Sequence, residues 1–401
     1  MAGPAASGRR RRGSLLSQSV RTQQPLRVLA VTASMGAGHD GAAREIAARL
    51  EARGHQAVVK DLLDAAPFRI GRAVRSGYEI QLRHFPASYE ATYGIWSRAP
   101  RLCRVVERLA TALTGRRLQR WVRETEADLV VSTYPLATLA LGRMRSAGRM
   151  DADLVGFVTD FAVHPLWVHP GADLILTVDA SSARSARDKT GGPVVGCGPA
   201  VADRFDADRL PSRRDTRERL GLTDNESAVL IVAGSWGTGD VMTTTSAVSG
   251  CGFVPVVVCG RDAAIHSRVA DQARSLQGRS IVLGWTDEMP ALMSACDALV
   301  ENAGGLTAFE AMRAGLPVIT YQPIAGHGRA NAKAMSAAGV TTWPKNEAEL
   351  ASSLFALTGG GPALSSQLAR AASIFRQDPA DLIAPASGSG WSDDPSLAEP
   401  A

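Results

Sequence analysis

A strand, a glycine turn and a helix in the second half of the chain constrain the fold more than any other stretch. Residues 298–300 read as the end of a buried strand, 302–305 as a tight turn, and 306–314 as a helix closed by Gly315. The run LPVITY then predicts the next strand. A helix that starts at such a turn presents free backbone N–H groups and about half a positive charge, which favour a bound anion. The pattern therefore predicts an α/β domain with a phosphate site.

Two side chains of the predicted helix add detail to this site. Thr307 lies in its first turn, and Glu310 lies one turn further on. A carboxylate does not stabilise a phosphate, but it can accept hydrogen bonds from the two hydroxyls of a ribose. The pattern alone leaves an alternative open, in which the turn is an ordinary βα connection and Glu310 is merely solvated.

Read in order, this stretch is G-G-L-T-x-x-E-A-M-x-x-G-L-P-V-I followed by P-I-x-G-x-x-x-x-N. It resembles the donor-nucleotide site of glycosyltransferase family 28, which includes the diacylglycerol glycosyltransferases and the lipid II N-acetylglucosaminyltransferase. The resemblance implies GT-B architecture, an α/β fold in which two Rossmann-like domains face each other across a cleft. It also implies donor contacts: the diphosphate at Gly304, Gly305 and Thr307, the ribose at Glu310, and the end of the donor pocket at Asn331.

The chain departs from the family pattern at two positions that lie near the donor sugar in the family. Diacylglycerol glycosyltransferases usually have Gln-Glu after the P-I-x-G glycine, and this chain has His327-Gly328. Those positions lie near the donor hexose in the family, so His327 is a donor-site candidate and the hexose is not identified. Two weaker matches, to the family's G-G-S-x-G loop and to the segment that holds the uracil through main-chain groups, add Gly234, Ser235, Gly237, Trp285, Thr286 and Met289.

The beginning of the chain predicts a second nucleotide-type loop. RVLAVTAS (27–34), AAREIAARLEARG and HQAVVKD read as strand, helix and strand, a βαβ unit. Gly36-x-Gly38-x-x-Gly41, with Asp61 20 residues beyond it, has the spacing of the dinucleotide fingerprint. An NAD(P)-dependent dehydrogenase is therefore the alternative from another class. However, any loop that turns sharply and admits a ligand needs such glycines, and two nucleotide-type halves favour a transferase.

His39 gives the first glycine loop a chemical role. Imidazole, with an ordinary pKa of about 6.5, can take a proton from an acceptor hydroxyl at neutral pH. The run S-x-G-x-G-H resembles the acceptor-side loop of family 28, and T-D-F-x-x-H-x-x-W-V resembles the segment that lines its acceptor cleft. The resemblance thus implies His39 and Asp160 as catalytic residues, with Gly36, Gly38 and His164 at the acceptor. Asp160 could hold or polarise His39 or the acceptor, or it could be the base in place of His39. An imidazole that only caps or packs against the loop is the alternative for His39.

The segment 68–123 concentrates the positive charge of the chain. Between Arg69 and Arg123 there are twelve arginines and three acidic residues, a net charge of +9 in a chain whose total is +5. Six aromatic residues lie between Phe68 and Trp96, and RAPRLCRVVERLATAL has apolar residues at helical spacing. Such a basic amphipathic segment favours an anionic bilayer surface. The alternatives are a helix packed on its own domain with solvated arginines, and nucleic acid, for which no recognition motif appears.

Length and composition predict two ordinary domains that do not cross a membrane. A chain of 401 residues with 45% hydrophobic residues can form two cores, and no apolar run approaches the ~18 residues that span a bilayer. The five cysteines form no CxxC pair, which suits a reducing cytoplasm and implies no zinc site. We predict two Rossmann-like domains: an acceptor domain at 26–202, with a membrane-facing segment at 68–123, and a UDP-sugar domain at 203–377. The last helix of the second domain is predicted at 368–377. A disordered basic arm at 1–25 and a disordered tail at 378–401 would flank the two domains.

Together, the patterns and the resemblance predict an inverting hexosyltransferase that needs no metal and no cofactor. It would move a hexose from a UDP-hexose, its co-substrate, to a hydroxyl of a lipid or amphiphilic acceptor. We expect it in the cytoplasm, bound peripherally to the inner face of the cell membrane, with no nucleic acid partner. The alternatives are a tailoring glycosyltransferase of a secondary metabolite, the dehydrogenase, and a non-catalytic protein that binds nucleotide sugars.

Overall fold

Two parallel sheets, each packed against helices, form the two halves of the molecule. The computed structural model describes residues 25–232, 240–276 and 278–385. Within these ranges the first sheet has six strands and the second has five. Strands alternate with helices along the chain, and all neighbouring strands run parallel. The predicted α/β class is therefore confirmed.

The first sheet has the strand order β2-β1-β3-β4-β5-β6. Most of its side chains are buried, as expected for a parallel sheet with helices against it. Its strands are β1 (Arg27–Thr32), β2 (Gln56–Asp61), β3 (Leu129–Ser132), β4 (Asp153–Phe157), β5 (Leu174–Thr177) and β6 (Val194–Gly196). The connecting helices are α1 (Ala37–Ala52), α2 (Leu62–Ala65), α3 (Ile70–His84), α4 (Pro86–Arg98), α5 (Pro100–Glu124), α6 (Pro135–Ser146) and α7 (Ala180–Thr190).

The second sheet has the order β11-β10-β7-β8-β9. Its strands are β7 (Ala228–Val232), β8 (Val254–Val258), β9 (Ile281–Leu283), β10 (Ala298–Glu301) and β11 (Val318–Thr320). The helices of this half are α8 (Arg213–Leu220), α9 (Val241–Gly250), α10 (Ala263–Ser275), α11 (Met289–Ala295), α12 (Leu306–Arg313), α13 (His327–Ala338), α14 (Glu347–Thr358) and α15 (Pro362–Ser373). In the part of the chain that the structure describes, no helix is both long enough and apolar enough to cross a bilayer.

Each sheet reverses its strand order at one point, and the carboxyl ends of the strands leave a crevice there. The reversals lie between β1 and β3 in the first sheet and between β7 and β10 in the second. Ligands of open α/β sheets bind at such points. His39 follows β1, and Gly305 follows β10. A Cβ on Gly41 of α1 would lie 2.4 Å from Cδ2 of Leu306, so α1 is in close contact with the start of α12. The two crevices therefore face each other.

The chain returns to the first half at its C-terminal end. A short helix, α16 (Pro379–Ile383), packs Leu382 and Ile383 into the core of the first sheet. Asp378 caps this helix and forms ion pairs with Arg49 (3.1 Å) and Arg53 (2.8 Å) of α1.

This return corrects two predictions. The disordered tail predicted at 378–401 is wrong for residues 378–385, because burial of apolar side chains and paired carboxylates hold them in place. The segment 368–377 does not form the last helix, since α15 ends at Ser373 and α16 follows. Residues 386–401 and, apart from Pro25, the predicted basic arm at 1–25 lie outside the described residues.

Candidate active site

A cleft of about 890 Å³ lies between the two halves and is lined by both. This volume is within the range of small-molecule sites, roughly 300–1,000 Å³. The first half contributes the loop after β1 and side chains of α3 and α4. The second half contributes the turn after β10, the first turn of α12 and the segment after β9.

A buried carboxylate holds the turn that follows β10. Glu301 accepts hydrogen bonds from the backbone N–H groups of Ala303 (2.7 Å) and Gly304 (2.5 Å) and from Thr320 Oγ1 (2.6 Å). Burial raises the pKa of Glu301, while these hydrogen bonds act in the opposite direction. Gly304 has a φ of +66°, and a Cβ there would lie 2.6 Å from Asn331 Cβ. The N–H of Gly304 is therefore used inside the protein, and Gly304 shapes the turn.

The N-terminus of α12 opens on the cleft without a side-chain cap. Gly305 and Thr307 both line the cleft at this point. The first N–H groups of a helix have no partner within the helix, and they carry the positive end of its dipole. This geometry supports the predicted phosphate site, which stays a prediction.

Glu310 lines the same cleft one turn further along α12. Burial raises the pKa of its carboxyl group to about 8, and the positive charge of Arg204 acts against that shift. Among the described residues, the Glu310 carboxylate has no hydrogen-bonding partner. It is therefore suited to accept the hydroxyls of a ligand.

Trp285, Thr286 and Met289 follow β9 and also line the cleft. The guanidinium group of Arg261 lies 3.8 Å from the centre of the Trp285 ring, a cation–π contact. Thr286 Oγ1 accepts from the N–H of Glu288 (3.0 Å), so its side chain serves a local turn. Main-chain contacts with uracil stay a prediction for this segment. The other predicted donor residues, Gly234, Ser235 and Gly237, lie outside the described residues.

On the facing side of the cleft, His39 is held between two aromatic rings. Its ring lies edge-on to Tyr134, with centroids 5.2 Å apart, and tilted against Trp167 at 5.7 Å. Its Nδ1 is 2.9 Å from Thr159 Oγ1. Burial lowers the pKa of His39, and the charge of Asp160 acts in the opposite direction, so the ring is neutral at neutral pH. Because Nδ1 is occupied, Nε2 is the nitrogen that can exchange a proton with a ligand.

Asp160 connects the two halves instead of holding His39. Its carboxylate accepts hydrogen bonds from Trp167 Nε1 (2.9 Å) and Asn331 Nδ2 (3.2 Å). Asn331 also accepts from the N–H of Ala162 (2.9 Å) and donates to a backbone carbonyl of the turn after β10 (3.2 Å). The amide of Asn331 is thus fully used beneath the turn. The predicted donor contact of Asn331 would have to replace one of these hydrogen bonds, so its geometry favours a supporting role.

Gly36, Gly38 and His164 line the first-domain side of the cleft, and their contact with an acceptor stays a prediction. Gly36 has a φ of +143°, which only glycine adopts readily. The ring nitrogens of His164 are used within the domain. Nδ1 accepts from the N–H of Leu166 (3.2 Å), and Nε2 lies 3.3 Å from the carbonyl oxygen of Tyr93. A ligand would therefore meet the face or the edge of the ring.

Asp61, the acidic residue of the dinucleotide fingerprint, caps a helix. Its carboxylate accepts hydrogen bonds from the N–H groups of Leu63 (2.8 Å) and Ser34 (3.3 Å). In a dinucleotide site this carboxylate would bind the ribose. The N-cap role explains the residue without a ligand, because aspartate is among the preferred N-caps.

Three residues of the cleft region were missed by the sequence analysis. Thr159 orients His39, Glu301 holds the turn after β10, and the Tyr89 hydroxyl lies 3.1 Å from Nδ1 of His327, which lines the cleft. An acidic residue at the end of a buried strand was a usable signal for Glu301. The other two contacts join residues 120 and 238 positions apart, for which the local sequence holds no signal.

Two family profiles match the chain, one in each half. The profile described as monogalactosyldiacylglycerol (MGDG) synthase matches residues 39–194. The profile described as glycosyl transferases group 1 matches residues 254–359.

Curated relatives point in the same direction. The chain is 27% identical over 222 residues to a processive diacylglycerol beta-glucosyltransferase of Bacillus pumilus, covering 54% of this chain and 57% of the relative. It is 26% identical over 359 residues to the chloroplastic monogalactosyldiacylglycerol synthase of Spinacia oleracea, covering 83% of this chain and 66% of the relative. The chain thus spans less than two thirds of the length of either relative.

Solved structures show the fold. The glycosyltransferase SnogD from Streptomyces nogalater aligns with a TM-score of 0.57 at 17% identity, covering 90% of this chain and 98% of SnogD. Os79 from O. sativa, in complex with UDP, aligns with a TM-score of 0.58 at 13% identity, covering 90% of this chain and 100% of Os79. The sequence of the chain is similar to glycosyltransferases of family 28 in both halves. Its fold has the GT-B architecture predicted from that resemblance.

Proposed function

We propose that this protein is an inverting glycosyltransferase that moves a hexose from a UDP-hexose to a hydroxyl group of a diacylglycerol-type or similar amphiphilic lipid. One observation carries the proposal: the uncapped N-terminus of α12 and the imidazole of His39 face one cleft from opposite domains. The relatives named above act on diacylglycerol or make monogalactosyldiacylglycerol, and Os79 binds UDP, which supports the choice of substrates.

The proposed reaction is a single displacement at C1 of the hexose. The acceptor oxygen attacks C1 while the bond from C1 to the diphosphate oxygen breaks, and the acceptor proton passes to Nε2 of His39. The leaving UDP takes the bonding electrons, and its negative charge is stabilised by the first N–H groups of α12. Attack from the face opposite UDP inverts the anomeric configuration. Thr159 keeps the basic nitrogen directed away from the protein.

No residue of this scheme requires a metal ion. Within the described ranges, no group of three or more histidine, cysteine, aspartate or glutamate side chains is arranged to hold one. Metal-independent transfer is part of the proposal because the first N–H groups of α12 are proposed to stabilise the leaving diphosphate, and retention of activity in excess EDTA is its test. A loss that added Mg²⁺ or Mn²⁺ restores would contradict this part of the proposal.

The dehydrogenase remains the alternative from another class, but two contacts weigh against it. Asp61 is engaged as a helix cap, and Gly41 is explained by the close approach of Leu306. Calorimetric titrations with UDP and NADH separate the two functions. Binding of NADH without binding of UDP would replace the transferase by the dehydrogenase.

The direct test is transfer in vitro. The purified protein is incubated with diacylglycerol in mixed vesicles and with UDP-glucose or UDP-galactose, and the lipids are analysed by mass spectrometry. A hexosyl lipid with inverted anomeric configuration is expected. Transfer only to soluble aglycones would favour the tailoring enzyme, and UDP-hexose binding without any transfer would favour the non-catalytic protein.

The surface of α5 supports a location at the inner face of the cell membrane. One side of α5 packs on its own domain through residues such as Leu118 and Trp121. The opposite side exposes Val105, Leu109 and Leu113, spaced four residues apart, among exposed arginines. The alternative, a helix packed on its own domain with solvated arginines, accounts for the packed face and the arginines but not for the exposed Val105, Leu109 and Leu113. The other face combines apolar and basic groups, as surface-bound helices do.

Binding to anionic vesicles is the corresponding prediction. The chain should co-sediment with vesicles that contain phosphatidylglycerol and not with pure phosphatidylcholine, and binding should weaken with salt. Arg108→Ala should lower the partition coefficient about fivefold, since a basic residue near headgroups contributes ~1 kcal/mol. Arg214→Ala on α8, an exposed arginine of the second domain, is the matched control and should bind like the wild type. Equal binding to neutral and anionic vesicles would contradict the proposed surface.

A further inference from the structure

Helix α4 of the first domain packs directly on the turn that precedes α13 of the second. The N–H of Gly326 donates a 2.7 Å hydrogen bond to the carboxylate of Glu90, which also lies 3.5 Å from Arg329. Gly326 has a φ of +67°, and a Cβ there would lie 2.6 Å from Cε1 of Tyr89. Only glycine fits between the helix and the turn. The two elements therefore form one packed unit across the cleft.

Within this unit, Tyr89 contacts the imidazole of His327. The Tyr89 hydroxyl lies 3.1 Å from Nδ1, and the two rings meet edge-on with centroids 5.9 Å apart. Tyr89 is buried, and its hydroxyl accepts a hydrogen bond from Tyr78 (3.3 Å). Its own proton is then available for donation to Nδ1 of His327. In a neutral imidazole whose Nδ1 accepts, the proton is on Nε2.

His327 lines the cleft at the start of α13, and its imidazole is neutral at neutral pH. Burial lowers its pKa, with Asp160 acting in the opposite direction. A positive charge on His327 would in turn lower the pKa of His39, and both imidazoles line the same cleft. His327 lines the cleft together with Gly305 of the phosphate-facing turn. A hexose that joins a diphosphate at this turn to an acceptor at His39 would occupy the cleft that this imidazole lines.

We propose that Tyr89 is a positioning residue of the donor site, supplied by the acceptor domain. Its hydroxyl fixes the tautomer and orientation of His327, so that Nε2–H is presented to a hydroxyl oxygen of the hexose. Selection of the hexose then depends on contact between the two domains, through Tyr89 of the first and His327 of the second. This inference rests on the proposed function, because the hexose of the donor is the group that His327 would contact.

Donor selectivity of Tyr89→Phe is the first measurement. kcat/KM is determined with UDP-glucose and with UDP-galactose, and the dissociation constant of UDP is determined by calorimetry. We expect kcat/KM for the preferred hexose to fall about five- to tenfold, as for one lost hydrogen bond, and the ratio between the two donors to approach one. UDP affinity should stay within about twofold. In His327→Gln, the same Tyr89→Phe change should have no further effect on the ratio.

Tyr93→Phe is the matched control for this ratio. Tyr93 lies one turn further along α4, and its ring packs on His164 at 4.4 Å. Loss of its hydroxyl should leave the ratio between the two donors unchanged, whatever it does to the overall rate. A wild-type ratio in Tyr89→Phe, or an equal change of the ratio in Tyr93→Phe, would overturn the positioning role.

Nitrogen-15 NMR of the imidazoles tests the contact without any substrate. The His327 signals, identified by their loss in His327→Gln, should show a single tautomer with the proton on Nε2. Tyr89→Phe should produce a mixture of the two tautomers. An unchanged tautomer in this variant would overturn the inference even if transfer occurs. Transfer of neither hexose by the wild type would contradict the proposed function, and the NMR result would still decide whether Tyr89 fixes the ring.

Discussion

His39→Ala is expected to lower kcat for hexose transfer by about 10²–10⁴ while leaving the affinity for UDP within about twofold. His39 has its Nδ1 occupied by Thr159, which leaves Nε2 as the proton acceptor on the first domain. The groups proposed to hold UDP are on the second domain. Removal of the imidazole therefore removes the base without removing a donor contact.

The variant is compared with His266→Ala, which removes a histidine of α10 that does not line the cleft. Turnover is followed by release of UDP, and UDP affinity by calorimetry. The control should keep wild-type turnover. Near-normal turnover of His39→Ala, or a product with the anomeric configuration of the donor, would rule out His39 as the base of an inverting displacement.

The pH profile gives the same assignment an independent check. Burial lowers the pKa of His39 below its ordinary value of 6.5. A general base must be unprotonated, so kcat/KM should rise with pH through a pKa below 6.5. At neutral pH His39 is already unprotonated, and its titration should no longer change kcat/KM. Thr159→Val should shift the pH at which kcat/KM rises, because the hydroxyl no longer contacts Nδ1 of His39. If kcat/KM of Thr159→Val rises at the same pH as that of the wild type, the pKa in the profile belongs to a group other than His39.

The positions of both glycine turns were predictable from the sequence because they depend on local patterns. Each follows a short, mostly apolar run that forms a buried strand, and each opens a helix. The strand order of an α/β sheet brings such turns to its carboxyl edge. The roles of single residues were harder to predict. Asp61 has the spacing of a ribose ligand, yet it caps α2, and the two functions use the same residue type at a strand end.

Contacts between distant residues account for most of what the sequence did not predict. Asn331 resembles a donor ligand in its motif, but Asp160 and Ala162 of the other domain occupy its amide. The C-terminal segment has the Pro, Gly, Ser and acidic content of a disordered tail. Its first residues become ordered because Arg49 and Arg53 meet Asp378, a match between positions more than 300 residues apart.

Glu310→Gln is expected to weaken UDP binding by ~1.5–3 kcal/mol at pH 9, the range for hydrogen bonds to a charged group. Glu310 lines the cleft, and among the described residues it has no hydrogen-bonding partner of its own. Glutamine keeps the size of the side chain but loses the charge and half of the acceptor oxygens. Glu347→Gln on α14, an exposed glutamate outside the cleft, is the matched control and should bind UDP like the wild type.

The pH dependence of UDP binding tests the role of Glu310 more sharply. Burial raises its pKa to about 8, so the free protein holds a proton on this carboxyl group at neutral pH. Ribose hydroxyls donate best to the ionised form, so binding should release this proton. UDP affinity should therefore rise about tenfold from pH 7 to pH 9, and the binding heat at pH 7 should depend on the ionisation enthalpy of the buffer. Glu310→Gln should lose both effects. If the UDP affinity of the wild type stays constant or falls between pH 7 and pH 9, the ionised carboxylate does not hold the ribose.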